Sequence, residues 1–142
     1  MITTENDMNF TSGMAAFESK EFARAMQFLL QFAEEGDPDA QHRVAIMYQN
    51  GLGCAVNDIQ AYKWMQAAAT QGHAVAQHGL GFMYMEGECV ETNGDKAVEW
   101  FTRAAEQGLV GSQTTLAIMY EEGKLVKQDT EMAQLWYKKA GF

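Results

Sequence analysis

Apolar residues in this chain recur three and four positions apart in short blocks, each closed by a glycine. Ala40, Val44, Met47 and Tyr48 share one face at 3.6 residues per turn, which predicts a helix stopped at Asn50-Gly51, where glycine adopts the left-handed conformation. After a short polar connection, Ala61, Trp64, Met65 and Ala68 form a second stripe that ends at Gly72, with Asn57 or Asp58 placed to cap its start. The pattern therefore predicts pairs of helices, an A helix followed by a B helix.

The pair repeats. Shifting the chain by 36 residues aligns 37–72 with 73–108 at thirteen identical positions, among them Ala40/Ala76, Gln41/Gln77, His42/His78, Tyr48/Tyr84, Gly51/Gly87, Trp64/Trp100 and Gln71/Gln107, where chance gives about two. The register continues through Gln113, Leu116, Ala117, Tyr120, Gly123, Ala133 and Trp136. It also runs backwards through Gly36, Ala33, Phe28 and Ala25. The predicted organisation is an irregular or disordered stretch over 1–7, a divergent first hairpin over 8–36 turning at Glu18-Ser19-Lys20-Glu21, and repeats over 37–72, 73–108 and 109–142, the last truncated at its C-terminal end. Alanines such as Ala61, Ala97 and Ala133 let helices approach closely, and Trp64, Trp100 and Trp136 are expected to fill the larger spaces. One hairpin cannot bury both of its stripes, so the copies must stack, giving an all-α solenoid of about four antiparallel hairpins.

The stretch Ala76-Gln77-His78-Gly79-Leu80-Gly81-Phe82-Met83-Tyr84-Met85-Glu86-Gly87, followed by Asp95-Lys96-Ala97-Val98-Glu99-Trp100-Phe101 and on to Gly108, closely resembles the Sel1-like repeat, a relative of the tetratricopeptide repeat. The likeness covers roughly residues 8–142, with a tetratricopeptide-style entry from Gly13 to Ala25. It implies a right-handed superhelix used as an adaptor or scaffold, mainly in bacteria, and no reaction. It also implies that A helices line a concave groove, and some short bacterial members act as immunity proteins that neutralise a toxin. Cysteine-rich secreted relatives carry a cysteine pair in each repeat. Here Cys54 and Cys89 sit one position out of register in neighbouring loops, so a bridge between them is not expected.

Composition narrows the partner. Nineteen acidic against ten basic residues give a net charge of -9, which disfavours nucleic acid and anionic lipid. Residues 1–60 hold nine acids and three bases, a net of -6, and the remainder ten and seven, a net of -3. A partner of basic character is the corresponding expectation. The N-terminus lacks a basic segment followed by an apolar one, and two cysteines make no disulfide framework, so a cytoplasmic chain without membrane insertion is expected.

No nucleophile, phosphate-loop or zinc motif is present, and a non-enzymatic module without cofactor or metal is expected. The rival is a metal-dependent or hydrolytic enzyme built around His42, His78 and Glu86. His42 and His78 share a column, but no third ligand is evident and solvated groove residues are the favoured reading. The informative feature is a second apolar column on the A helices. With Val44 and Tyr48 facing the core, Ile46 and its equivalents Phe82 and Ile118 lie on the opposite side. With Met85, and rimmed by His42, Gln49, Asn50, His78, Glu86, Thr114, Glu121 and Glu122, this column is the expected docking groove for a protein or peptide. Leu135, Tyr137 and Phe142 at the uncapped C-terminal end are expected to contact a partner or a second copy, the latter giving a homodimer.

Overall fold

The computed structural model describes residues 4–142. Among them are eight helices and no strand: α1 (Thr4–Glu18), α2 (Phe22–Glu34), α3 (Pro38–Asn50), α4 (Asp58–Thr70), α5 (Ala74–Glu86), α6 (Gly94–Glu106), α7 (Val110–Glu122) and α8 (Thr130–Lys139). Residues 4–7, expected to be irregular, are the first turn of α1, and residues 1–3 lie outside the described residues. The chain divides into two compact units between Gln71 and Gly72. In the first unit α2 packs on α1, α3 on α2 and α4 on α3; the second repeats this scheme with α5 to α8. Among the described residues no helix is long and apolar enough to cross a membrane.

Local chemistry sets the helix ends. The side chains of Asn57, Asn93 and Asp129 accept the backbone N–H of Gln60, Lys96 and Met132 at 3.0, 3.1 and 3.0 Å, so each B helix begins where its cap satisfies an otherwise orphaned donor. Asp37 does the same for α3, ahead of Pro38. At α5 the cap is His73, whose Nδ1 accepts from the Ala76 N–H at 3.1 Å, a role the sequence did not disclose. The A helices α3, α5 and α7 stop at Gly51, Gly87 and Gly123, with φ of 67°, 69° and 68°. A side chain there would strain the left-handed backbone that turns the last N–H back onto Met47, Met83 or Met119.

Each unit is held by apolar packing between A and B helices. Ala40, Val44, Met47, Ala61, Trp64, Met65 and Ala68 are buried in the first unit, and Ala76, Leu80, Met83, Ala97, Phe101, Ala104, Leu116 and Trp136 in the second. The tryptophan column is not uniform. Trp64 and Trp136 are core, as expected, whereas Trp100 is only half-buried, with the Arg103 guanidinium 4.5 Å from its ring centre. The next residue, Phe101, is fully buried and stands where the first unit has the smaller, also buried Met65. Room for the larger ring comes from the facing helix: α5 carries Gly81 where α3 has Ala45 and α7 has Ala117. A Cβ at Gly81 would sit 2.9 Å from the Phe101 ring, so the missing methyl is the space the larger ring occupies.

Buried glutamines tie the helix pairs together. The side chain of Gln41 donates from Nε2 to the Ala33 carbonyl at the end of α2 at 3.0 Å and accepts from Gln71 Nε2 at 2.9 Å. Gln71 also donates to the Gly36 carbonyl at 2.8 Å. In the second unit Gln107 donates to Gly72 and to Gln77 Oε1, both at 2.9 Å, and Gln113 donates to the Ala105 carbonyl at 3.1 Å. The Oε1 of Gln113 is buried without a hydrogen-bond partner among the described residues.

Two stability predictions result. Gly81→Ala gains helix propensity but overpacks against Phe101, so a net loss of about 1–2 kcal/mol is expected. Adding Phe101→Met, which recreates the Ala45–Met65 pair of the first unit, should recover most of it; additive losses in a chemical-denaturation cycle would count against the size match. Gln41→Leu, which breaks bonds at both ends of its amide, should cost about 2 kcal/mol, and Gln113→Leu, which also removes an unsatisfied oxygen, about 1 kcal/mol or less. Urea midpoints of the two variants check the order.

Candidate functional site

The A-helix column expected to recognise a partner is solvent-accessible at its centre in the second unit. Phe82 on α5 is 39% exposed and Ile118 on α7 is 41% exposed, large values for apolar side chains on helices whose other faces are sealed. Ile46, on the corresponding face of α3 in the first unit, is half-buried, as are His42 and Gln49, and the exposed Asn50 returns its side-chain N–H to the Ile46 carbonyl at 3.0 Å.

In the second unit, α5, α7 and the connection after α7 enclose a cleft of about 420 Å³ lined by Met85, Glu86, Thr115, Ile118, Met119, Glu122, Lys124 and Leu125. Four residues singled out from the sequence, Met85, Glu86, Ile118 and Glu122, meet there. Helical geometry explains the α7 wall, because Thr115, Ile118, Met119 and Glu122 fall at i, i+3, i+4 and i+7. Phe82 lies one turn before Met85 and Glu86 and continues the α5 wall. Thr114 is half-buried beside this face, and its neighbour Thr115 supplies the lining instead. Leu125 and Lys124 come from the loop and carried no periodic signal that could have marked them.

Charge around the cleft is mainly negative. Glu86 and Glu122 are the last residues of α5 and α7, and neither helix has a basic residue in its last turn. Lys124 pairs with Glu122 at 3.3 Å, with both side chains largely in solvent, so the pair contributes little. Glu121, the neighbour of Glu122, acts electrostatically on the hydroxyl of Tyr137 on α8. Desolvation and the charges of Glu121 and Glu122 push that hydroxyl above the usual tyrosine value. Tyr137 also packs edge-on against Phe142, with centroids 5.8 Å apart. Of the three residues expected at an end-on contact, Tyr137 is thus engaged within its own unit, while Leu135 and Phe142 are 44% and 81% exposed.

His78 corrects the sequence reading. Expected as a solvated groove residue, it is half-buried, with Nδ1 2.8 Å from Ser112 Oγ and its ring edge-on to Phe101 at 5.1 Å. It joins α5, α6 and α7. Among the described residues no group of three or more His, Cys, Asp or Glu side chains could hold a metal ion. Cys54 lies under the α3 terminus with Sγ 3.5 Å from the Met47 carbonyl, and burial pushes its thiol pKa up. A wider cleft of about 620 Å³, lined by Asp95, Val98, Tyr120 and residues 126–131, contains none of the residues expected to bind a partner.

Burial lowers the pKa of His78 below its ordinary value of 6.5. The unfolded chain therefore binds the proton first, and stability conferred by neutral His78 is complete above about pH 6.5 and lost as pH falls. Urea midpoints measured from about pH 7 to about pH 5 should decline, and His78→Gln should flatten that part of the profile. An identical slope in the variant would exclude His78 as the source.

Comparisons with known proteins agree with this architecture. The model of the Sel1 repeat matches residues 38–73, 74–109 and 111–141. No curated protein matches the chain significantly. A solved protective antigen present in uropathogenic Escherichia coli strains, displaying an SLR fold, superposes with a TM-score of 0.89 at 31% identity over 95% of this chain and 30% of its own. A Sel1 repeat protein from Oxalobacter formigenes superposes with a TM-score of 0.85 at 30% identity, over 92% of this chain and 54% of its own. The chain thus spans about a third to a half of these longer proteins. With three matched repeats covering most of its length and the same helical-hairpin fold, the chain belongs to the Sel1 repeat family.

Proposed function

We propose that the chain is a non-enzymatic protein-interaction module whose partner docks on the A-helix surface of the second unit. A helical repeat family whose fixed core supports a variable surface is suited to an adaptor or scaffold. The observation that carries the reading is the accessible apolar column of Phe82 and Ile118 running into the Met85–Leu125 cleft. An apolar floor with a charged rim fits a peptide or helix that inserts one or two apolar side chains. The acidic rim and the net charge of -9 favour a partner of basic character. Leu135 on α8 and Phe142 beyond its end are further exposed apolar residues, available to the partner or to another copy of the chain.

Phe82→Asp and Ile118→Asp each place a charge on the column without touching the core. Affinity capture from the source organism should retain a specific protein on the wild-type chain and lose at least about tenfold of it on either variant. Helicity and thermal midpoint should be nearly unchanged in both. Equal retention by the wild type and both variants would refute the assignment.

A further inference from the structure

We propose that the cleft of the second unit accepts an arginine side chain from the partner, flanked there by apolar residues. This rests on the docking reading above and specifies what occupies the cleft. The argument comes from the first unit, which carries the same arrangement already filled.

The equivalence of the two places is fixed by packing. Gly13 on α1 lies so close to Leu29 that a Cβ would fall 2.9 Å from its Cδ2, and Gly81 on α5 is pressed against Phe101 in the same way. Leu29 and Phe101 are two periods apart. Counting four and five residues on from each glycine gives Phe17 and Glu18 in the first unit and Met85 and Glu86 in the second, at the end of α1 and of α5. Facing them two periods apart stand Arg43 on α3 and Thr115 on α7.

In the first unit Arg43 places its guanidinium carbon 5.4 Å from the Phe17 ring centre and Nη2 3.6 Å from Glu18 Oε1. A cation there meets both a carboxylate and the negative end of α1, a helix with no basic residue of its own in the last turn. In the second unit the facing residue is too short. The Thr115 hydroxyl bonds back to the Gly111 carbonyl at 2.7 Å, and the volume that an arginine would fill is the cleft itself. The exposed Glu86 carboxylate makes no hydrogen bond or ion pair among the described residues, and Lys124 is committed to Glu122. The cleft therefore offers an apolar plate in Met85, a carboxylate and a helix C-terminus in the relative positions that hold Arg43. A guanidinium suits it better than an ammonium, because its flat, weakly hydrated face can lie on Met85 while its edge meets Glu86. Ile118 and Leu125 beside it take the apolar neighbours of that arginine.

The probe is the capped peptide acetyl-Gly-Leu-Arg-Leu-Gly-amide, titrated into the ¹⁵N-labelled chain beside its uncharged citrulline counterpart. The arginine peptide is expected to shift the amides of Met85, Glu86, Thr115 and Ile118 saturably at millimolar or lower concentration, with citrulline at least about tenfold weaker. Thr115→Arg, which fills the cleft from within, should abolish those shifts, and Glu86→Gln should weaken them. Arg43→Thr should open a second site, seen as new saturable shifts at Phe17 and Glu18. Equal binding of the two peptides at the cleft would overturn the arginine assignment and leave the docking reading standing. Absence of saturable shifts with the arginine peptide, or undiminished binding to Thr115→Arg, would also overturn it, whatever the capture experiment with Phe82→Asp returns.

Discussion

This fold depends on bringing helices together closely enough for a buried side chain on one helix to reach a backbone carbonyl at the end of the helix before it. The buried amide of Gln41 reaching Ala33, and of Gln113 reaching Ala105, does this between α2 and α3 and between α6 and α7. Such a bond forms only if the backbones approach within the length of one side chain, and buried alanines such as Ala33, Ala40 and Ala105 permit that approach. A buried glutamine in the wrong register would leave polar atoms unsatisfied, so the amide also penalises slippage of one helix pair along the next.

The same close approach shapes the surface. Because cores are satisfied by small residues opposite large ones, exchange of Ala45 and Met65 for Gly81 and Phe101 leaves the architecture intact while moving bulk from one helix to the other. The residues left outside are then free to differ between copies. Arg43 and Thr115 occupy one position of the repeat, yet one covers its neighbouring carboxylate and the other leaves a cleft beside it. A repeat protein acquires a cleft in this way, by omitting from one copy a side chain that another copy supplies.

Much of this was legible along the chain. The period of 36, the glycine stops at Gly51, Gly87 and Gly123, a cap at Asn57 or Asp58, and the apolar column of Phe82 and Ile118 all follow from local rules that act over one or two helical turns, whereas the choice of Asn57 and the matching caps at Asn93 and Asp129 came from the structure. The glutamine columns were visible as identities, but an identity does not state that the residue is buried or what it bonds. Residues 4–7 read as irregular from the sequence yet open α1, because a polar first turn carries no apolar stripe to mark it as helix.

The sequence by itself determined the helix pairs, their ends and the faces they bury, since each of these is set by residues a few positions apart. Tertiary structure alone decided that His78 is held by Ser112 and Phe101, that Phe101 fills the space left by Gly81, and that Leu125 and Lys124 close a cleft over Met85 and Glu86. Each of those outcomes rests on the distance between side chains more than 15 residues apart in the chain, and a pattern of periodicity carries direction around a helix but no measure of that distance.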